Sequence, residues 1–417
     1  MQNNNEIYSP SNRFAWVEIS LNNLSHNLKL IKDYLNNLDN LNNASNSYKS
    51  SLNFSSQTKP KIMAVVKANA YGHGLIEISK NAIKSGADWL GVALVQEGMR
   101  LRQGGINAPI LCLGSHSPEK IKDAVINDIT LSVTSLESAN LISELSKQIN
   151  KKAKVHIKID TGMNRIGINY NEAIKSINII SELPNLEIDG VFTHFACASK
   201  EDDSYTILQW SRFNKIISEL KKINKNIKNY HCVNSAAFIR YPYMHLDMVR
   251  LGIIIYGINP FESNYIKFCD KNASKFISSL KPVLSLKAKI SFIKKVNKGE
   301  SISYCATFTT KRDSIIATIP IGYADGYSWN FSNKSSVIYN GCFAPVVGRV
   351  TMDQIMVDLT DCDGAHDAKV GDEVILIGQS SKDNKKILTA NELADLIGTI
   401  SYEIVCMIGD RIPRVYL

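Results

Sequence analysis

A chain of 417 residues is longer than one hydrophobic core usually supports, so two domains are expected. Its 44% hydrophobic and 21% charged residues are those of a folded globular protein and exclude a disordered or collagen-like chain. Lys and Arg (48) outnumber Asp and Glu (39) for a net charge of +9, but the lysines are scattered beside Asn and Ser. That spread argues for a solvated basic surface, with neither nucleic acid nor a membrane as partner.

None of the eight cysteines (Cys112, Cys197, Cys232, Cys269, Cys305, Cys342, Cys362 and Cys406) is spaced as C-x-x-C. Most lie in apolar runs, which predicts buried thiols in a reducing compartment and neither a disulfide frame nor a zinc site. The first ten residues lack the basic start and apolar core of a signal peptide, and no apolar run approaches about 18 residues. A cytoplasmic location is expected.

In chain order, Phe14–Ser20 alternates and reads as a strand. Leu21, Leu24, Leu28, Ile31, Leu35 and Leu38 recur at helical spacing, with Ser20 placed to cap the helix. Residues from about 36 to 59 are rich in Asn and Ser and read as an insertion without chemistry. Apolar runs come next at Ile62–Val66, Trp89–Leu94, Pro109–Leu113, Thr130–Val133, Val155–Ile159, Ile188–Thr193, Tyr230–Val233 and Val249–Tyr256, with helix-periodic segments in most gaps. Ile207, Trp210, Phe213, Ile217 and Leu220 mark one such helix. Eight strands alternating with helices predict a (β/α)8 TIM-type barrel over residues 21–275. The alternative, a doubly wound sheet, wants a G-x-G-x-x-G turn after the first strand, and none is there.

Beyond residue 276 the pattern changes to short β-type runs: Leu284–Ile293, Ser314–Ile321, Val337–Tyr339, Ala344–Val347, Gln354–Leu359 and Glu373–Ile377. Turn pairs such as Asn340-Gly341 separate them. A C-terminal, mainly β domain over 276–417 is expected, and residues 1–20 can contribute their strand to it.

The segment Ile62–Gly74, I-M-A-V-V-K-A-N-A-Y-G-H-G, ends an apolar strand in Lys67. A lysine there stands at the C-terminal mouth of a barrel, where active sites of this fold gather, and partial desolvation favours a nucleophilic amine. The same segment resembles the cofactor-lysine motif of alanine racemases. The likeness continues through K-I-D-T-G-M-N-R-I-G (158–167), F-T-H-F-A-C-A (192–198), N-S-A-A (234–237), M-V-R-L-G-I-I-I-Y-G (248–257), S-Y-C-A-T-F (303–308), G-R-V-T-M-D-Q (348–354) and I-S-Y-E (400–403). That family is built as a (β/α)8 barrel followed by a β domain.

The resemblance implies interconversion of L- and D-alanine by two-base transfer of the Cα proton on a pyridoxal 5′-phosphate aldimine, supplying D-alanine for peptidoglycan. Lys67 would hold the cofactor and act as one base, and Tyr304 as the other. Two bases on opposite faces fit racemisation, although an ordinary tyrosine, with a pKa of roughly 10, needs a cationic neighbour or a hydrogen bond to its phenolate to serve as one. Arg250 would face the pyridine nitrogen; an arginine can only donate, so it would leave that ring unprotonated and limit side reactions such as transamination. Tyr71, Asn234, Ser235, Gly252, Ile253 and Tyr402 would complete the cofactor site, the phosphate falling after strands seven and eight as in many barrels. His194 would pack against the cofactor ring. Arg165 and the backbone of Met352 would receive the substrate carboxylate, and Lys158 matches a lysine carbamylated in many relatives. Tyr304 and Met352 would enter the site of a neighbouring subunit, so a homodimer is implied, and no metal. Asn164 and Cys305 stand where many relatives have glycine.

Three rival readings stay open. A racemase of the same scaffold with a wider substrate range is one, and pocket size decides it. A basic amino-acid decarboxylase of related fold wants a Gly-rich phosphate loop and a C-E-S-G-type segment that are missing. A non-catalytic carrier of pyridoxal phosphate would lack the β domain.

Overall fold

The computed structural model describes residues 13–37, 59–223, 227–261, 271–380 and 386–417. Most of the Asn/Ser-rich stretch, and Cys269, lie outside the described residues. Strand β1 (Ala15–Ile19) alternates buried and half-buried positions, the period of a one-sided strand. Ser20 Oγ then accepts the Asn23 N–H at 3.2 Å and opens helix α1 (Leu21–Asn36), which buries Leu24, Leu28, Ile31 and Leu35.

Strands β2 (Lys61–Val65), β3 (Trp89–Val92), β4 (Ile110–Cys112), β5 (Ile129–Val133), β6 (Ala153–Asp160), a two-residue β7 (Ile168–Asn169), β8 (Leu186–Phe192), β9 (Asn229–His231) and β10 (Met248–Leu251) form one parallel sheet. Its order is β10-β2-β3-β4-β5-β6-β8-β9, with β7 beside β6. Helices α2 (Leu75–Lys84), α3 (Val95–Gln103), α4 (Pro118–Ile126), α5 (Leu136–Gln148), α6 (Ala173–Ser181), α7 (Ser204–Lys222) and α8 (Ser235–Arg240) connect them, and α9 (Lys271–Ser279) comes after the last strand. The barrel closes between β9 and β10 through two backbone bonds, Asp247 N–H to Tyr230 O at 3.1 Å and Arg250 N–H to Val233 O at 3.0 Å. All eight runs read from the sequence become barrel strands. The last is shorter than its apolar run: the strand stops at Leu251, and Ile253–Tyr256 form a buried 3₁₀ turn ended by Gly257 at φ 74°.

The remaining strands are β11 (Leu284–Lys289), β12 (Phe292–Val296), β13 (Ser301–Ile302), β14 (Phe308–Thr309), β15 (Ser314–Ile319), β16 (Ser336–Tyr339), β17 (Cys342–Pro345), β18 (Ile355–Asp358), β19 (Glu373–Gln379), β20 (Ile387–Leu388) and β21 (Arg414–Tyr416). With helices α10 (Ala390–Ile397) and α11 (Ser401–Cys406) they make a mainly β unit. Its largest sheet runs β17-β16-β19-β11-β1-β21, with β20 on β19. β1 pairs antiparallel with β11 (Val17 opposite Leu286) and parallel with β21 (Val17 opposite Arg414). The run Leu284–Ile293 divides into β11 and β12, which enter different sheets. Asn340 (φ 49°) and Gly341 (φ 76°) turn β16 into β17 with two positive φ values, the geometry that favours Asn-Gly in a two-residue hairpin.

The chain divides into two compact units: residues up to Asn23 with Tyr71–Gly74 and Lys281–Leu417, and Leu24–Ala70 with Leu75–Leu280. Among the described residues no helix is long and apolar enough to cross a membrane. Cys305 and Cys406 are exposed, so the expectation of buried thiols does not extend to them.

Candidate active site

In the barrel unit, Lys67 lies two residues beyond β2 and is half-buried. The backbone after it turns left-handed: φ is 52° at Ala68, 53° at Asn69, 54° at Ala70 and 54° at Tyr71. Each such non-glycine residue costs about 1–2 kcal/mol, and strain of this kind persists where surroundings over-determine it. Ala68 N–H donates to Glu97 Oε1 at 2.6 Å, and Asn69 Oδ1 accepts the Leu75 N–H at 2.9 Å.

Lys158, near the end of β6, is 5% exposed, with its Nζ 4.7 Å from the centre of the Phe192 ring. Burial first, then Arg250 and Arg165, push its amine well below the usual lysine range. His194, just past β8, is held well below the usual histidine range by burial, then by Arg250, Lys158, Arg165 and Lys67. Lys158 and Arg250 both lie over the Phe192 ring, at 4.7 and 5.4 Å, and His194 is 3.2 Å from Arg250, so these groups gather near the ends of β6, β8 and β10. Arg165 is itself exposed. The loop that carries it is shaped by Asp160, whose Oδ1 accepts the N–H groups of Gly162 at 2.8 Å and Asn164 at 3.1 Å.

Arg250 in β10 is buried and held on several sides. Its guanidinium donates to Thr193 O at 2.7 Å and Cys232 O at 3.1 Å, and contacts His194 Nδ1 at 3.2 Å and His231 Nδ1 at 2.8 Å. Burial lowers its pKa to about 10, which leaves it cationic at neutral pH. Ser235 opens α8 and its Oγ accepts the Gly252 N–H at 3.0 Å, so the segments after β9 and β10 meet there. Asn234 caps the same helix, its Oδ1 accepting from Ala237 N–H at 3.0 Å. Ile253, next after Gly252, is fully buried.

Behind Arg250 lies a polar chain that sequence reading missed. His231 Nε2 is 2.8 Å from His156 Nδ1, and His156 Nε2 is 3.3 Å from Asp189 Oδ2. Asn229 Nδ2 donates to Asp189 Oδ2 at 2.8 Å, and Lys61 Nζ to Asn229 Oδ1 at 2.8 Å. Both histidines are driven below their usual range, chiefly by burial, while the hydrogen bond from His156 holds the Asp189 carboxyl low. The signal was present in V-H-I-K-I-D: His156 and Lys158, two apart in a strand, share a face. Gly190 makes room, since a Cβ there would lie 2.6 Å from His156 Nδ1 and 2.8 Å from Asn229 O. Met63, Trp89, Leu111 and Met248 supply an apolar cluster in the same barrel.

In the β unit, Tyr71 and Tyr402 face each other with ring centres 6.1 Å apart. Burial pushes both phenols above their usual range. Tyr304 is 71% exposed and Met352 53% exposed. Tyr304 is flanked by left-handed residues, Ser303 at φ 67° and Cys305 at φ 60°, and Ser303 Oγ donates to Arg349 O at 2.8 Å. The backbone of Met352 is fixed by its carbonyl, which accepts the Ala324 N–H at 3.0 Å. A Cβ on Gly322 would lie 2.3 Å from Met352 O, so only glycine admits that approach.

Two family models match the chain: the alanine racemase N-terminal domain over residues 37–260 and the alanine racemase C-terminal domain over 283–416. The chain belongs to the alanine racemase family. It is thus an enzyme of the racemase class. An alanine racemase of Clostridium novyi (strain NT) is 45% identical over 97% of this chain and 96% of its own length. One from Methanococcus maripaludis is 41% identical over 96% of this chain and 98% of its own. Among solved structures, alanine racemase of Clostridium difficile 630 matches with a TM-score of 0.83 at 40% identity, covering 97% of this chain and 96% of that one. Alanine racemase from Bacillus anthracis with bound L-Ala-P matches with a TM-score of 0.84 at 36% identity, covering 98% and 96%.

Proposed function

We propose that this chain interconverts L- and D-alanine with pyridoxal 5′-phosphate on Lys67, and with Lys67 and Tyr304 as the two bases. The observation that carries the reading is the gathering of Lys158 and Arg250 over the Phe192 ring, with His194 3.2 Å from Arg250 and Lys67 and Arg165 acting on it electrostatically. The donor set suits the cofactor. It offers a primary amine, a guanidinium fixed by hydrogen bonds, and hydroxyl and amide donors after β9 and β10. Lys67 would hold the group, Arg250 would donate to its ring nitrogen, and His194 would pack against its ring. The hydroxyls of Tyr71, Ser235 and Tyr402, with Asn234 and the amides of Gly252 and Ile253, would hold its phosphate. When bound, the group withdraws electrons from the substrate Cα and makes its proton acidic.

The chain's own residues would do the rest. The Lys67 amine takes or returns the Cα proton on one face, and the Tyr304 hydroxyl does so on the other. Arg165 and the Met352 N–H receive the substrate carboxylate. Arg250 keeps its protons and so leaves the ring nitrogen unprotonated. Lys158, with its ammonium form disfavoured, is a nucleophile for carbon dioxide; as a carbamate it would carry negative charge toward Arg165.

We further infer a homodimer in which Tyr304 and Met352 serve the neighbouring subunit. Their exposure supports this, because an aromatic ring and a thioether gain most from burial in a partner. The exposed thiol of Cys305 suits a reducing cytoplasm, and the product would supply D-alanine for peptidoglycan. Incubation with L-alanine in deuterated water, with and without added pyridoxal 5′-phosphate, tests the reading. D-alanine should form with deuterium at Cα, faster than L-serine gives D-serine or L-lysine gives D-lysine. Cofactor absorbance without Cα exchange would instead mark a carrier.

A further inference from the structure

We propose that Glu97 is a positioning residue for Lys67, holding the left-handed turn that aims the lysine amine into the barrel mouth. The inference rests on the assignment of Lys67 as the cofactor amine and adds a residue that the assignment does not contain. Glu97 lies in the first turn of α3 and uses its two carboxylate oxygens differently. Oε2 accepts the N–H groups of Ala93 at 2.8 Å and Leu94 at 3.1 Å, which caps the helix locally. Oε1 reaches across to the end of the neighbouring strand and accepts the Ala68 N–H at 2.6 Å. Strands β2 and β3 are paired up to Val65 opposite Gly91, so Glu97 ties together the two chain segments that leave them.

That tie matters because the backbone just beyond Lys67 is strained. Four consecutive non-glycine residues, Ala68 to Tyr71, hold positive φ, which L-residues adopt only under restraint. The restraints on it include the Glu97 bond at the first residue, the Asn69 side chain on Leu75 N–H, Ala70 N–H on Val66 O at 2.8 Å, and His73 Nδ1 on Tyr71 O at 2.8 Å. Removing the bond at Ala68 frees the residue directly attached to Lys67. A helix cap alone would not need Oε1, and this separates the two roles. Gln serves at the third position of a capping box as well as Glu does. In Glu97→Gln, therefore, the side-chain oxygen can keep the cap, while the amide NH₂ faces the Ala68 N–H, donor against donor.

The test uses the full-length chain as wild type, Glu97→Gln and Glu97→Ala. Hydrogen–deuterium exchange of the cofactor-free protein should show the peptide spanning residues 66–72 exchanging about ten-fold faster in both variants. In Glu97→Gln the peptides of β3 and α3 should stay as in wild type. Addition of pyridoxal 5′-phosphate and then borohydride reduction should label Lys67 about ten-fold more slowly in both variants. A Glu97→Gln chain that exchanges and labels as wild type does would overturn the proposal. If wild type itself is not labelled at Lys67, the cofactor assignment falls and takes this inference with it. Unchanged labelling of Glu97→Gln beside normal labelling of wild type overturns the inference alone.

Discussion

Arg250 and His231 lie 2.8 Å apart, and the guanidinium decides which nitrogen of the imidazole carries the proton. Arginine has no acceptor, so His231 Nδ1 must accept and Nε2 must bear the hydrogen. His231 then donates to His156 Nδ1, and His156 in turn donates from Nε2 to Asp189. A donor-only cation at one end and an acceptor-only anion at the other set the direction of the whole chain. Asp189→Asn should cost about 1–3 kcal/mol by denaturant midpoint, and its effect should not add to that of His156→Gln. Gly190→Ala, which drives a methyl between His156 and Asn229, should be at least as damaging. Additive effects at Asp189 and His156 would show that the links act separately.

The two departures from glycine flanking proposed site residues both fall at left-handed positions, Asn164 at φ 54° and Cys305 at φ 60°. Asparagine tolerates that region and cysteine does not. Cys305→Gly relieves about 1–2 kcal/mol of strain and gives back about 0.4–1 kcal/mol through the freer unfolded chain. A small rise in Tm is expected, with little change for Asn164→Gly. A lower Tm for Cys305→Gly would show that the thiol makes compensating contacts.

His245 is stacked on Phe238, with ring centres 4.9 Å apart, and donates to Phe238 O at 2.9 Å. Burial holds its pKa at about 4 in the folded chain. The unfolded value is about 6.5, so between these limits the unfolded chain binds the extra proton. The contribution is fully present above pH 6.5 and declines by about 1.4 kcal/mol per pH unit as pH falls toward 4. His156, His194 and His231 shift in the same direction and steepen the fall. Urea midpoints at pH 7.5, 6 and 5 should drop more steeply for wild type than for His245→Gln. Parallel lines would remove His245 from the acid response.

Lys158 should take up carbon dioxide. With ¹³C-labelled bicarbonate, a carbamate resonance is expected in wild type and not in Lys158→Ala. Identical spectra would leave Lys158 an unmodified amine.

Inactive Lys67→Ala and Tyr304→Phe chains, mixed and exchanged, should recover roughly a quarter of wild-type activity, because half of the dimers are mixed and each has one complete shared site. No recovery after proven exchange would place both bases in one chain.

The barrel was legible because most of its strands are buried on both faces and so read as largely apolar runs, with Lys154 of β6 and Glu187 of β8 as interruptions. The Asn340-Gly341 turn was legible for the local reason that both residues accept positive φ. The split at Leu251 was not, since a buried 3₁₀ turn is as apolar as the strand before it. Nor were β13, β14 and β20, two residues each, where periodicity has nothing to repeat. Lys67 announced itself by its place at a strand end. His156 left a trace in its spacing to Lys158, but Glu97 and Asp189 did not, because their importance lies in which distant atoms they meet, and a linear pattern does not encode that.

Strand β1 is held between β11 and β21, so its second neighbour is made almost a full chain length after it. During synthesis the whole barrel can fold while β1 waits with both edges unpaired, and one edge stays open until Arg414–Tyr416 emerges. Folding of this unit is therefore timed by the ribosome, and a nascent chain stalled short of those residues offers a bare β edge to any sticky neighbour.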